Sequence, residues 1–131
     1  MRDNTHDPDV ERLARAAIDA AFHLHRELGP GLLESVYETL LALKLERLGF
    51  KVDRQRPIDI LYDGVHFRGA FVADLLVNDR LLIELKSSER MAPVHLKQVL
   101  TYIRLMDLPL GLLVNFGAAT FREGVRRIVN D

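Results

Sequence analysis

Two charged residues interrupt one of the most apolar stretches of the chain, Leu81-Leu82-Ile83-Glu84-Leu85-Lys86. At the spacing of a β-strand, Glu84 and Lys86 point to the same face of a sheet. Burying a carboxylate is unfavourable unless a partner compensates its charge. Taken alone, the two residues fit a reactive site and a simple Glu–Lys ion pair at the end of a sheet equally well.

A second acid, Asp74, lies inside the preceding apolar stretch, Phe71 to Val77. Two carboxylates that converge on one spot repel each other unless a cation or a proton lies between them. Carboxylate oxygens are ligands that Mg²⁺ and Mn²⁺ prefer. The pair Asp74 and Glu84 therefore predicts a site for a divalent cation, Mg²⁺ or Mn²⁺.

The connection between the two stretches provides a test of this hypothesis. A three-residue loop, Asn78 to Arg80, places Asp74 directly across from Glu84 on one face of the sheet. A two-residue turn at Asn78-Asp79 would instead place Asp74 opposite Ile83, on the wrong side. The metal hypothesis thus predicts a loop of odd length or a β-bulge at this point.

The elements that must position these residues follow from hydrophobic periodicity and from turn signals. Asp7 and Pro8 read as the start of a first helix, which ends before Gly29-Pro30-Gly31. The pattern then predicts a helix from about 32 to 48, strands at 51–56, 58–62, 65–67, 69–77 and 81–86, a helix from Pro93 to about Met106, and strands at 110–116 and 125–129. Because a long helix separates the strands at 81–86 and 110–116, they are predicted to be parallel neighbours. The result is an α/β sandwich with a mixed central sheet.

Composition sets limits on the class of protein. A chain of 131 residues, 48% hydrophobic and 28% charged, is typical of one globular domain. We expect a flexible N-terminus over residues 1–7 and one domain over 8–131, with no signal peptide or membrane span. The absence of cysteine excludes disulfides and cysteine nucleophiles and is compatible with the cytoplasm. A net charge of −1 argues against a purely electrostatic DNA-packaging role.

Three motifs resemble those of a known superfamily. Asp74 followed about ten residues later by Glu84-Leu85-Lys86 resembles the PD-(D/E)XK nuclease signature, with Ala73 in place of the usual proline. The segment from Gly31 to Tyr37 matches the GxxExxY motif after which a small bacterial family within that superfamily is named. Gln98 to Tyr102 resembles the QxxxY helix motif of its exonuclease-like branch, and the similarity extends over nearly the whole chain.

The resemblance implies a restriction-endonuclease-like αβββαβ core and assigns roles to named residues. Asp74, Glu84 and the backbone carbonyl of Leu85 would hold one or two divalent ions, Mg²⁺ or Mn²⁺. Glu34 would be an additional, helix-borne metal ligand, and Lys86 would position the attacking water and neutralise the phosphate. From the residues alone, an acid favoured by the dipole at a helix N-terminus is the better explanation of Glu34.

Three further residues are expected to support the site or to contact substrate. Gln98 and Tyr102 lie one helical turn apart, and in the superfamily such a pair supports the site or contacts DNA. A polar shoulder on a helix that packs on the sheet explains the pair as well. Tyr37 follows Glu34 by one turn and is expected to give structural support.

The function implied by the resemblance is divalent-metal-dependent hydrolysis of phosphodiester bonds in nucleic acid, with DNA as the expected substrate. The alternative is a non-catalytic module that keeps the nuclease fold and binds nucleic acid or protein. A small domain of this kind is expected in the cytoplasm, away from membranes, alone, as a homodimer or as a subunit of a larger assembly.

Overall fold

The computed structural model describes residues 7–131. Its helices are α1 (Pro8–Leu28), α2 (Glu34–Arg47), α3 (Pro93–Met106) and α4 (Phe121–Gly124). Its strands are β1 (Val52–Tyr62), β2 (Val65–Val77), β3 (Leu81–Lys86), β4 (Leu110–Asn115) and β5 (Val125–Val129), which form one sheet in the order β1-β2-β3-β4-β5. The predicted α/β fold with a mixed central sheet flanked by helices is confirmed.

The first helix begins and ends where its sequence signals predict. The Asp7 side chain accepts hydrogen bonds from the backbone N–H groups of Asp9 and Val10, and Pro8 occupies the first turn. Gly29, with φ of 72°, ends the helix in the left-handed region, which favours glycine. Residues 1–6 of the predicted flexible segment lie outside the described residues, whereas Asp7 serves as this cap.

Each of the two long strands combines two segments that the sequence predicted separately. β1 runs through Pro57, which β1 tolerates because it lies at the edge of the sheet, where a missing N–H need not break the pairing. β2 runs through Gly69, where the pairing register shifts between Ile58 and Ile60. Gly69 has φ of 58°, and its N–H donates to the Asp59 carboxylate at 2.7 Å, so a β-bulge replaces the predicted strand end.

The sheet lies between two helical layers. Strands β3 and β4 are parallel neighbours joined through α3, as predicted, and every residue of β4 is buried. Helices α1 and α2 pack on one face of the sheet against alternate residues such as Ile83 and Leu85. Helix α3 packs on the other face, where Val99 and Ile103 meet Leu82 and Leu113.

The sequence pattern did not predict α4, a single turn capped by the Thr120 side chain. Four residues are too few for a helical period to be visible in a sequence. Within residues 7–131, no helix combines the length and the apolar character needed to cross a bilayer.

Candidate active site

The loop between β2 and β3 has three residues, as the metal hypothesis requires. Arg80 N–H donates to the Val77 carbonyl at 2.9 Å, and Asn78 and Asp79 adopt left-handed φ values of 51° and 56°. The strands pair Val77 with Leu81 and Leu75 with Ile83, so Asp74 and Glu84 are the next residues of the two strands. The loop therefore brings the two acids to the same point of the sheet.

Each of the two acids accepts a hydrogen bond from a backbone N–H group of the neighbouring strand. Asp74 N–H donates to Glu84 Oε2 at 2.7 Å, and Leu85 N–H donates to Asp74 Oδ2 at 2.8 Å. Only 6% of Glu84 is exposed, and Asp74 is partly buried. Both carboxylates are thus held between adjacent strands, and Glu84 has little access to water.

This burial changes the acidity of the pair. Loss of hydration raises the pKa of Glu84 to about 8, and the negative charge of Asp74 adds to the effect. Burial also raises the pKa of Asp74, although the hydrogen bonds from Leu85 N–H and the Gln55 side chain act against the shift. The positive charge of Lys86 lowers both pKa values only in part. The positive charge near the two carboxylates is therefore too small to offset their negative charge.

The other residues expected at the metal lie around this pair. Lys86 is half-buried at the end of β3, and its carbonyl accepts from Phe116 N–H at 2.9 Å. Glu34 is the exposed first residue of α2. Together with Asp74, Leu85 and three further residues, it lines an open cavity of about 340 Å³, so the structure brings Glu34 to the same cleft as Asp74, whereas Glu84 is not among the lining residues.

The two α3 residues differ in their relation to the acids. Tyr102 stacks on Phe71 with ring centroids 3.9 Å apart and an interplanar angle of 7°. Burial raises the pKa of Tyr102, and the charges of Glu84 and Asp74 raise it further, which places its ring beside the acid pair. Gln98, one turn earlier, is exposed.

Tyr37 lies beneath the cleft and holds the loop that precedes α2. It is fully buried and stacks on Phe116 with ring centroids 4.3 Å apart. Its hydroxyl donates to the Gly29 carbonyl and accepts from Leu32 N–H at 3.2 Å. Through these bonds Tyr37 fixes the approach of the chain to Glu34.

Two residues of the cleft, Glu38 and Gln55, escaped the sequence analysis. Glu38 is only 7% exposed, and its charge raises the pKa of both strand acids. Its position one turn after Glu34, on the side of α2 that carries Tyr37 and Leu41, was a usable signal, because an acid at a core position needs a partner. Gln55 has φ of 48° within β1, and no sequence pattern indicates that conformation.

The donor chemistry of the cleft fits a hard divalent cation. Within residues 7–131, no group of three or more His, Asp and Glu side chains is arranged as a ready-made metal cage. The acid pair itself supplies carboxylate oxygens, which Mg²⁺ and Mn²⁺ prefer, and its raised pKa values show a deficit of positive charge. A cation between the two acids would remove that deficit.

Comparison with known proteins agrees with the fold. The family model described as the PD-(D/E)XK nuclease superfamily matches residues 11–128. The chain belongs to the PD-(D/E)XK nuclease superfamily. No curated protein and no solved structure matched the chain.

Proposed function

We propose that this protein is a divalent-metal-dependent nuclease that hydrolyses phosphodiester bonds of nucleic acid, with DNA as its substrate. The observation that carries the proposal is the pairing of Asp74 with Glu84 between adjacent strands, with Lys86 two residues further along β3. Membership of the nuclease superfamily supports the reaction class.

Asp74, Glu84, the Leu85 carbonyl and Glu34 would hold Mg²⁺ or Mn²⁺. When bound, such an ion offsets negative charge on the scissile phosphate and makes a bound water more acidic. The Lys86 ammonium, whose charge already acts on both acids, would neutralise the phosphate and orient the attacking water. Tyr102, beside the acids, and Gln98, on the exposed side of α3, would contact the substrate or ordered water.

We further assign the chain to the GxxExxY family of the superfamily. The motif is supported by its placement: Glu34 begins α2 at the cleft, and Tyr37 anchors the loop that leads to it. We propose that the protein is located in the cytoplasm. There it acts alone, as a homodimer or as a subunit of a larger assembly.

A cleavage assay tests the proposal directly. Labelled single-stranded, duplex and branched DNA would be incubated with the protein in Mg²⁺, in Mn²⁺ and in chelator. Cleavage is expected with either metal and not with chelator, and Lys86→Ala should reduce its rate by about 10²-fold or more, because it removes a preorganised charge from the transition state. Product gels over time give the rates.

Lys51→Ala is the matched control. Lys51 pairs with Asp79 at 3.0 Å beside the β2–β3 loop, at the other end of β3 from Lys86. This variant removes the same charge from the surface and should cleave like the unmodified protein. If folded protein shows metal-dependent stabilisation but cuts no DNA, the proposal fails and a non-catalytic binding module on the same fold takes its place.

A further inference from the structure

The conformation of Gln55 is unusual for its position. Gln55 lies in β1 between the pairs Arg54–Leu75 and Arg56–Ala73, directly opposite Asp74. Its φ of 48° lies in the left-handed region, which is unfavourable for a residue other than glycine, asparagine or aspartate. Regular pairing within the sheet does not require a left-handed φ at Gln55.

The Gln55 side chain joins two acids of the cleft. Its amide nitrogen donates to Asp74 Oδ1 at 3.1 Å and also to Glu38 Oε1. Ionised carboxylates only accept hydrogen bonds, so the amide must turn its NH₂ group, with its two donors, toward them. One amide group therefore satisfies both acids.

Glu38 is itself held in place on α2. Its second oxygen, Oε2, accepts from Arg54 Nη2 at 3.1 Å, and the same Arg54 nitrogen donates to Thr39 Oγ1 at 2.7 Å. Only 7% of Glu38 is exposed. The contacts thus form a chain that runs from the helix through Glu38 and Gln55 to Asp74.

Both oxygens of the Asp74 carboxylate have a protein donor as a result. Gln55 donates to Oδ1, and Leu85 N–H donates to Oδ2 at 2.8 Å. A carboxylate offers about four lone-pair sites, so each oxygen keeps one for another ligand. The two donors therefore set the plane of the carboxylate without using up its capacity to bind a cation.

We propose that Gln55 is a positioning residue for the metal ligand Asp74, and that Glu38 holds the Gln55 amide in the orientation this requires. The inference rests on the proposed function, because it needs Asp74 to bind the divalent ion. Residues that orient metal ligands through hydrogen bonds typically change metal affinity 10- to 100-fold when they are lost.

A purely structural role for Gln55, tying β1 to α2, makes a different prediction. Loss of a structural tie would lower the thermal stability and leave metal affinity unchanged. Loss of a positioning residue would lower metal affinity, and stability need not fall if the strain of the left-handed backbone is removed at the same time.

The variant Gln55→Gly separates the two roles, because glycine adopts a left-handed φ without strain and has no side chain. Mn²⁺ binding to the full chain would be measured by titration calorimetry, and thermal stability by calorimetry without metal. We expect Gln55→Gly to bind Mn²⁺ about 10- to 100-fold more weakly than the unmodified protein and to unfold at the same temperature or higher. Gln55→Asn tolerates the same backbone conformation, but its shorter amide cannot span both acids, so it should also bind weakly.

Asp63→Gly is the matched control for relief of strain. Asp63 has φ of 51° at the tip of the β1–β2 hairpin, outside the residues that line the cleft. It should bind Mn²⁺ like the unmodified protein. Unchanged affinity in Gln55→Gly, or equal weakening in Asp63→Gly, overturns the positioning role and leaves the proposed function standing. Absence of Mn²⁺ binding in the unmodified protein, judged against Asp74→Asn, overturns both.

Discussion

At the scale of single residues, Glu84 shows the larger pKa shift of the two strand acids. Without a cation, its raised pKa of about 8 means that it holds a proton at neutral pH. A protonated Glu84 repels Asp74 less and avoids the unfavourable burial of a second charge. In the metal-free protein, a proton on Glu84 therefore reduces the repulsion between the two acids, as a bound cation would.

The pH dependence of stability follows from this pKa. Because the folded protein holds the Glu84 proton more tightly than the unfolded chain does, Glu84 contributes stability below its ordinary pKa of 4.5, and this contribution is lost as the pH rises through about 8. We expect the unfolding free energy of the metal-free protein to fall over that window, by about 5 kcal/mol at most from Glu84. Urea denaturation at a series of pH values in chelator measures the fall.

Glu84→Gln is the comparison for that experiment, because it has nearly the same shape and does not titrate. Its unfolding free energy should vary much less between these pH values and should exceed that of the unmodified protein above about pH 8. Parallel pH profiles for the two proteins would show that ionisation of Glu84 does not cause the fall in unfolding free energy.

Sequence reasoning found the residues whose charge contradicts an apolar pattern and missed those whose role depends on backbone conformation. Asp74, Glu84 and Lys86 are visible because each interrupts a predicted strand. Gln55 is an ordinary polar residue in an exposed, weakly alternating segment. Its left-handed φ and its two acceptors are consequences of tertiary structure, which no local pattern records.

At the scale of elements, a single glycine in β4 allows α3 to pack closely against the sheet. Gly111 lies in β4, and a methyl group at its Cβ position would stand 2.8 Å from Val99 Cγ1 and 2.9 Å from Ile103 Cγ2. Both contacts are with β-branched side chains that are fully buried, so neither can move aside easily. The sequence pattern identified β4 and α3 correctly but could not show how closely they approach.

Gly111→Ala should therefore push α3 away from the sheet. We expect a loss of about 1–3 kcal/mol in unfolding free energy from overpacking, measured by urea denaturation. The double variant Gly111→Ala with Val99→Ala removes one of the two clashing methyl groups, that of Val99, and should lose less than the sum of the two single losses. Additive losses would show that the contact between residue 111 and the Val99 side chain does not determine how closely α3 packs on the sheet.

The boundaries of the elements were easiest to predict where local chemistry sets them. The start of α1 at Asp7-Pro8, the limits of β3 and the start of α3 at Pro93 follow caps, prolines and apolar runs. The division of β1 at Pro57 was wrong, because pairing with β2 carries the strand through the proline. Strand continuity is a property of the sheet and not of the segment.

In the molecule as a whole, both helical layers contribute to the environment of the acid pair. Glu38 on α2 raises the pKa of both acids from one layer, while Tyr102 on α3 lies beside them in the other. Because residues of both layers and of the sheet meet at the pair, binding of a cation there should stabilise the folded protein as a unit.

This stabilisation should depend on pH, since Glu84 must lose its proton to act as a ligand. Below the pKa of Glu84, the apparent affinity for Mn²⁺ should fall about tenfold for each pH unit. At a fixed Mn²⁺ concentration, the added stability at about pH 8 should exceed that at about pH 6 by roughly 2 kcal/mol, a difference of several degrees in the unfolding temperature. Differential scanning calorimetry with and without Mn²⁺ at each pH measures it. The variant carrying both Asp74→Asn and Glu84→Gln should show no shift at either pH, and equal shifts for the unmodified protein at the two pH values would mean that the cation does not displace the Glu84 proton.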